Sequence, residues 1–346
     1  MDPIEIAVRP VSPMRLSGGG GDRTVGVNGP WIERLLVLDR AAMVIRVRQM
    51  SSGECLFRAE GIEPERLEGP GRESLVEPDE DQLLDGIDRL RFAVGVDQDL
   101  TGFHQCFRDD PVLGPAIRGR LERRARRRPL PWEALIWAIT EQLIEYRRAA
   151  AIQRQMIRRW GNRLPAGAPA RKSGFGLGRK PGRGRPSRAS RAKGFPLSTV
   201  PAPEVIAGLA PAELAACDLS PRRALAAIMV AREVSRGRCD PANPSDDRRL
   251  LAIRDIGPWT IACLALRGRG DADALLAGDL GQVKLVGYLL GLGRPAEVDE
   301  VERFYRPYAP YRGLAGDYLL GAAGESVHGP GNRARIRHVA ALRHAA

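Results

Sequence analysis

Apolar and polar positions alternate along the early part of the chain and fall into helical spacing thereafter. The runs I-E-I-A-V-R, I-E-R-L-L-V-L, A-M-V-I-R-V-R and C-L-F-R-A are short and β-rich, most of them alternating as half-buried strands do. Gly18 to Gly21 supplies a flexible turn between early segments, and Leu83 to Phe92 offers a short amphipathic helix. Residues 1–98 therefore read as an α+β unit ahead of an all-helical one at 99–346.

From Asp97 onward strand signals nearly vanish. After Pro131, the residues Leu135, Ile136, Ile139 and Leu143 make one apolar face that stops at Glu145-Tyr146-Arg147. A fresh pattern, Ala149, Ile152, Met156, Ile157 and Trp160, then runs to Gly161, so two helices with a break are expected. Ser220-Pro221 predicts the cap of a helix with Leu225, Ile228 and Met229 on one face, ending at Arg236-Gly237. Asp246 precedes a further short helix. Val301, Phe304, Tyr305, Tyr308 and Tyr311 lead into a last helix near Asp317-Tyr318-Leu319, followed by an R-A-R-I-R-H tail. The body thus reads as roughly eight helices.

The most informative stretch runs from Leu250 to Gly287. Leu250, Leu251 and Ile253 end one helix, Arg254-Asp255-Ile256-Gly257 makes a tight turn, and Pro258 opens a second helix. Proline suits a first helical turn because its missing N–H has no intrahelical acceptor there. That helix is expected to run through Thr260, Ala262, Leu264, Ala265 and Leu266 to a stop at Arg267-Gly268. Amides exposed at such a hairpin form an electropositive nest for a phosphate. After a loop, Gly278-Asp279 introduces Leu280, Val283, Val286, Leu289 and Leu290 at helical spacing, with Asp279 where the helix begins.

Charge adds a partner to this picture. Across 346 residues the formal net charge is +12, which points to a polyanion and most simply to nucleic acid. Arg163 to Lys193 holds ten basic residues and no acidic one among glycines, prolines and serines, and reads as a disordered basic insertion over 163–196. It serves either as a nonspecific DNA tether or as a solvated linker. A second basic stretch, Arg118 to Arg128, reads equally as a phosphate contact or as a solvated connection. No apolar run approaches the roughly 20 residues of a membrane helix, and M-D-P-I-E-I lacks a signal peptide's basic start and apolar core, so a cytoplasmic location is expected. Cysteines 55, 106, 217, 239 and 263 are scattered, and the four histidines show no metal-spaced pair, so no metal or cofactor is expected.

The run I-G-P-W-T-I-A-x-x-x-L-R-G, with an Asp twenty residues beyond its Trp, resembles the helix-hairpin-helix, Gly/Pro-rich loop and Asp signature of the DNA glycosylase superfamily. Within it the likeness is greatest to DNA-3-methyladenine glycosylase II. The resemblance implies a mainly α fold, a glycosylase body of two helical subdomains with an N-terminal sheet-plus-helix domain. It implies Asp279 as the catalytic carboxylate, Trp259 stacking on the substrate base, and Leu143 with Gln142 as the wedge that enters the stack where the base has left. Arg254, Ile256, Gly257 and Thr260 would hold the DNA backbone. The partner would be double-stranded DNA containing damaged bases, met by a monomer associated with the nucleoid.

An Asp before an apolar helix is, taken alone, an N-cap, and Leu143 is, from periodicity alone, a core residue. A carboxylate at C1′ stabilises the oxocarbenium-like charge of N-glycosidic cleavage and can orient or deprotonate water. Trp259 stands where members that also act as lyases carry a lysine nucleophile, so a monofunctional enzyme is implied. Its indole suits a cationic alkylated purine. The sequence departs from the family at Asp255, which replaces the hairpin's first glycine, and at Cys263 and Leu320, which stand where aromatics line the base pocket. The alternatives are a glycosylase for a neutral lesion (uracil, hypoxanthine or an oxidised purine) and a non-catalytic DNA-binding protein.

Overall fold

The computed structural model describes residues 2–16, 22–165 and 196–324. The Gly18–Gly21 turn, most of the basic insertion, the R-A-R-I-R-H tail and the histidines at 328, 338 and 344 lie outside the described residues.

The alternating runs form a five-stranded antiparallel sheet: β1 (Ile4–Val8), β2 (Val25–Asn28), β3 (Trp31–Leu38), β4 (Ala41–Gln49) and β5 (Cys55–Gly61), in the order β1-β5-β4-β3-β2. Helix α1 (Glu80–Val94) opens with a capping box between Asp79 and Gln82 and closes at Gly95 in the left-handed region. Its Leu83, Ile87 and Leu90 pack with Met43, Ile45, Val47 and Phe57 on one face of the sheet. Gly86 sits directly over Met43, where a Cβ would meet the sulfur at 2.4 Å, so a side chain here would force Met43 and Ile45 to shift.

The helical body follows as α2 (Thr101–Phe107), α3 (Gly114–Arg118), α4 (Pro131–Glu141) and α5 (Tyr146–Trp160). A two-stranded ladder, β6 (Arg163–Leu164) with β7 (Leu197–Ser198), brackets the insertion. Then come α6 (Pro203–Ala207), α7 (Pro211–Ala215), α8 (Pro221–Ser235), α9 (Asp247–Leu251), α10 (Pro258–Cys263), α11 (Leu280–Leu289), α12 (Val298–Tyr305) and α13 (Arg312–Gly324).

These helices build two cores. One surrounds Leu135, Trp137, Ile152, Ile228 and Leu250 and takes in Ile256 of the hairpin. The other joins α2 and α3 to the C-terminal helices around Phe103, Val286, Tyr305 and Tyr318. The second core thus closes the chain on itself, with the first core inserted between its halves.

Four expectations are corrected. Arg163, counted above with the basic insertion, exchanges backbone hydrogen bonds with Glu68 at 2.7 and 2.8 Å, and Leu164 and Leu197 pack on the second face of the sheet. On α8 the buried residues are Ala224, Ala226, Ala227, Ile228, Val230 and Ala231, while Leu225 and Met229 are exposed; Ser220 makes no side-chain cap and instead accepts from Arg223 Nε at 3.0 Å. The helix expected to stop at Gly268 continues as a π-helical stretch, Leu264–Arg269, ending at left-handed Gly270. Gly268 is buried inside it, where a Cβ would lie 2.9 Å from that of Ala134.

At Arg123, Arg124, Arg127 and Arg128 the Arg118–Arg128 stretch is not a solvated connection but is packed against the fold. Arg124 donates to the carbonyls of Gly95 and Ser12, Arg123 to Asp317, and Arg127 lies over the Phe92 ring. Arg128 pairs with Asp22 at 2.5 Å, and Asp22 Oδ2 also accepts from Trp137 Nε1 at 2.9 Å. Beside it Arg34 of β3 and Glu133 of α4 form an ion pair at 2.6 Å, with side chains only 4% and 3% exposed. These groups stitch the sheet unit to the helical body. Among the described residues no helix is long and apolar enough to cross a membrane.

Candidate active site

The site assembles where the two cores meet. α9 ends at Leu251, and the chain turns through Asp255, whose φ of 67° takes the left-handed conformation that a glycine adopts freely and aspartate tolerates. Ile256 drops into the first core, Gly257 is extended at the N-cap, and Pro258 begins α10. The helix-hairpin-helix expected from the sequence is present. Its amides are only partly free: Ile256 N–H bonds to Ile253 O at 3.1 Å and Thr260 N–H to Gly257 O at 3.0 Å. Of the four residues expected to meet a phosphate, those two therefore have their amides engaged within the hairpin. Arg254 stands out in solvent with an 84% exposed side chain, and the Gly257 amide makes no hydrogen bond among the described residues.

α4 ends at Glu141, before the residue on which periodicity placed its apolar face. Gln142 leaves the helix, and Leu143 adopts φ 53° with 83% of its surface exposed, so the core reading of Leu143 is wrong. A large apolar side chain held outward on strained backbone gains nothing from folding. The Gln142 amide reaches across to the hairpin, donating to Asp255 O at 2.9 Å and Thr260 Oγ1 at 3.0 Å. These two bonds tie the Gln142–Leu143 turn to the hairpin.

Asp279 is the N-cap of α11. Its Oδ1 accepts from the amides of Gly281 at 2.8 Å and Gln282 at 3.3 Å, so both capping bonds fall on one oxygen. The helix behind it is fixed by buried Gln282, which accepts from Tyr305 Oη at 2.8 Å. Leu320 closes on the cap, since a Cβ at Gly281 would lie 2.9 Å from its Cδ2.

Trp259 is half-buried. It packs with a small apolar cluster of Ala138, Cys263, Leu266 and Leu276, and its ring edge approaches Gly278, the neighbour of Asp279. Its Nε1 is buried without a hydrogen-bond partner among the described residues. Cys263 is fully buried one turn further on, and that burial, with smaller contributions from Glu141 and Asp279, pushes its thiol up to about 12.

Sequence reasoning missed one pair here. Arg267, on the π-helical stretch, donates from Nη1 to Glu141 Oε2 at 2.5 Å. Burial alone lowers the Arg267 pKa, but Glu141 chiefly, then Cys263 and Asp279, outweigh it and hold the guanidinium charged. The L-R-G of the motif marked Arg267, but nothing in the sequence tied it to Glu141.

Asp279, Trp259, the hairpin and the Gln142–Leu143 turn therefore converge on one side of the molecule. This arrangement of sheet unit, two helical subdomains and helix-hairpin-helix is the fold of the helix-hairpin-helix DNA glycosylases. Similar solved structures are the 3-methyladenine DNA glycosylase of Archaeoglobus fulgidus, with a TM-score of 0.65 at 16% identity over 94% of this chain and 100% of that one, and the 8-oxoguanine glycosylase/lyase of Clostridium acetobutylicum bound to DNA, with a TM-score of 0.57 at 12% identity over 87% and 98%. In sequence the chain is 24% identical over 230 residues to the DNA-3-methyladenine glycosylase of Bacillus subtilis, spanning 65% of this chain and 67% of the relative. No family model matches the chain.

Proposed function

We propose that this protein is a DNA glycosylase of base-excision repair, monofunctional, hydrolysing the N-glycosidic bond of alkylated bases such as 3-methyladenine and leaving an abasic site in duplex DNA. The observation that carries the reading is the approach of the Trp259 ring edge to Gly278, which sets the indole beside the residue that precedes the Asp279 cap, on an element tied through Gln142 to the turn that holds Leu143 outward. The sequence relative and the Archaeoglobus fold neighbour, both 3-methyladenine glycosylases, support it.

In this reading the hairpin receives the DNA backbone through the Gly257 amide and Arg254, and Leu143 fills the gap left by the extruded nucleotide, offsetting the unstacking. Gln142 positions Leu143 rather than entering the duplex itself, because its amide already holds the hairpin. Trp259 stacks on the extruded base. The Asp279 oxygen that takes no part in capping faces the charge that develops on the sugar as the bond breaks, and water completes the hydrolysis. An indole has no amine with which to form a Schiff base, so no strand-cleaving step is assigned.

A second reading, release of a neutral oxidised purine, draws on the unpartnered Trp259 Nε1, a buried donor that a base carbonyl would satisfy. Both readings are tested by base release from duplexes carrying 3-methyladenine or 8-oxoguanine, with borohydride trapping alongside. Wild type should release the methylated base with no trapped adduct. Asp279→Asn should lose about 10³-fold in single-turnover rate while remaining folded, because asparagine caps a helix as well as aspartate. A trapped adduct, or unchanged release by the variant, would sink the mechanism.

A further inference from the structure

Trp259, Cys263 and Arg267 recur every four residues along α10 and its π-helical continuation, and Trp259 and Cys263 pack with Leu276 of the loop that leads to Asp279. The field of the Asp279 carboxylate reaches both Cys263 and Arg267. A lone guanidinium here would repel an incoming cationic base. Glu141 prevents this. One of its oxygens takes Arg267 Nη1 at 2.5 Å, and the other accepts from Gln153 Nε2 at 3.2 Å. Gln153 is itself buried and also bonds Thr140 Oγ1 at 3.0 Å, so the carboxylate is held in one orientation.

We infer that Glu141 is a specificity-determining residue: by neutralising Arg267 it leaves the surroundings of Asp279 with a net negative charge, and this charge selects cationic alkylated bases over neutral ones. The inference rests on the reading of Asp279 and Trp259 given above. Glu141 acts at a distance, through Arg267, and touches neither base nor sugar. Two carboxylates against one guanidinium leave a single negative charge for a methylated purinium to balance. A neutral base has nothing to balance it with, and its release is indifferent to Glu141.

The test is single-turnover release from duplexes containing one 7-methylguanine, which is cationic, or one hypoxanthine, which is neutral. Glu141→Gln should lower 7-methylguanine release about tenfold and leave hypoxanthine release within about twofold. Glu141→Asp keeps the charge and should stay near the wild-type ratio. The double variant Glu141→Gln/Arg267→Met restores the original net charge and should restore 7-methylguanine release; because it leaves no unpaired charge, it decides the matter even where the single variant folds poorly. Equal falls for both bases, or no recovery in the double variant, would make the pair purely structural and overturn the inference while the glycosylase reading stands. Failure of wild type to release 3-methyladenine, 7-methylguanine or hypoxanthine would overturn that reading, and the inference with it.

Discussion

Two polar clusters in this molecule, built from similar residues, are held in opposite ways. At the seam between sheet and helical body, Asp22, Thr24, Arg34, Glu133 and Trp137 are withdrawn from water and paired, with Arg128 at their edge; among their buried side-chain nitrogens and oxygens only Arg34 Nε lacks a partner among the described residues. At the candidate active site the groups are half-buried: Asp279 uses one oxygen for its cap, Trp259 Nε1 has no partner, and Leu143 stands in solvent. The first cluster spends its hydrogen-bonding capacity on itself. The second leaves the Trp259 Nε1 donor and the Leu143 side chain without partners among the described residues.

The contrast puts removal of a seam charge among the most damaging changes to folding. Glu133→Gln strips Arg34 of its buried counter-ion and should lower unfolding free energy by about 3 kcal/mol, read by urea denaturation. Replacing both members by methionine should recover most of that loss, since two buried charges then vanish together. A single variant as stable as wild type would mean that water reaches the seam and that the two clusters are alike.

Much of this fold is legible in the sequence because its signals are local. Alternation marks the strands, Pro258 after Gly257 marks the second hairpin helix, and an Asp ahead of Leu280 marks a cap. The failures have physical causes of other kinds. On α8 a search for large apolar residues chose Leu225 and Met229, but close helix packing here uses alanines, which periodicity weighs lightly. Gly268 looked like a stop because glycine usually ends helices, whereas here it is absent of side chain so that the π-helical stretch can lie against α4. The arginines of 118–128 looked like a surface feature because their partners, Ser12, Asp22 and Asp317, are remote in sequence. Within the site, the members carried by the motif were legible and Glu141 was not, since its meaning comes only from Arg267.

Acid offers a graded test of the seam. Burial pushes the Asp22 carboxyl upward, but the Arg128 and Arg34 guanidiniums and the Thr24 amide outweigh it and hold its pKa at about 2, below the ordinary 3.8. A carboxyl depressed in the folded state contributes stability that is full above its unfolded pKa and is lost as pH falls through the folded one. Stability should therefore drop by about 2 kcal/mol between roughly pH 4 and pH 2, and Asp22→Asn should flatten that part of the profile. An unchanged slope in the variant would assign the acid sensitivity to other carboxylates.

The smallest effect on folding belongs to the residue that most separates the two clusters. Leu135 and Leu143 belong to the same predicted apolar face, yet Leu135 is fully buried in α4 and Leu143 projects from the turn beyond it. Leu135→Ala should cost about 3 kcal/mol through lost burial and the cavity left behind. Leu143→Ala should change unfolding free energy by less than about 0.5 kcal/mol, because folding buries almost none of that side chain. Its effect should appear only with DNA present, as a fall of about tenfold in base release from a lesion-bearing duplex. Unfolding curves and release rates measured on the same two variants separate the roles: a Leu143 variant that loses stability in place of release would return that residue to the core and remove the wedge from the mechanism.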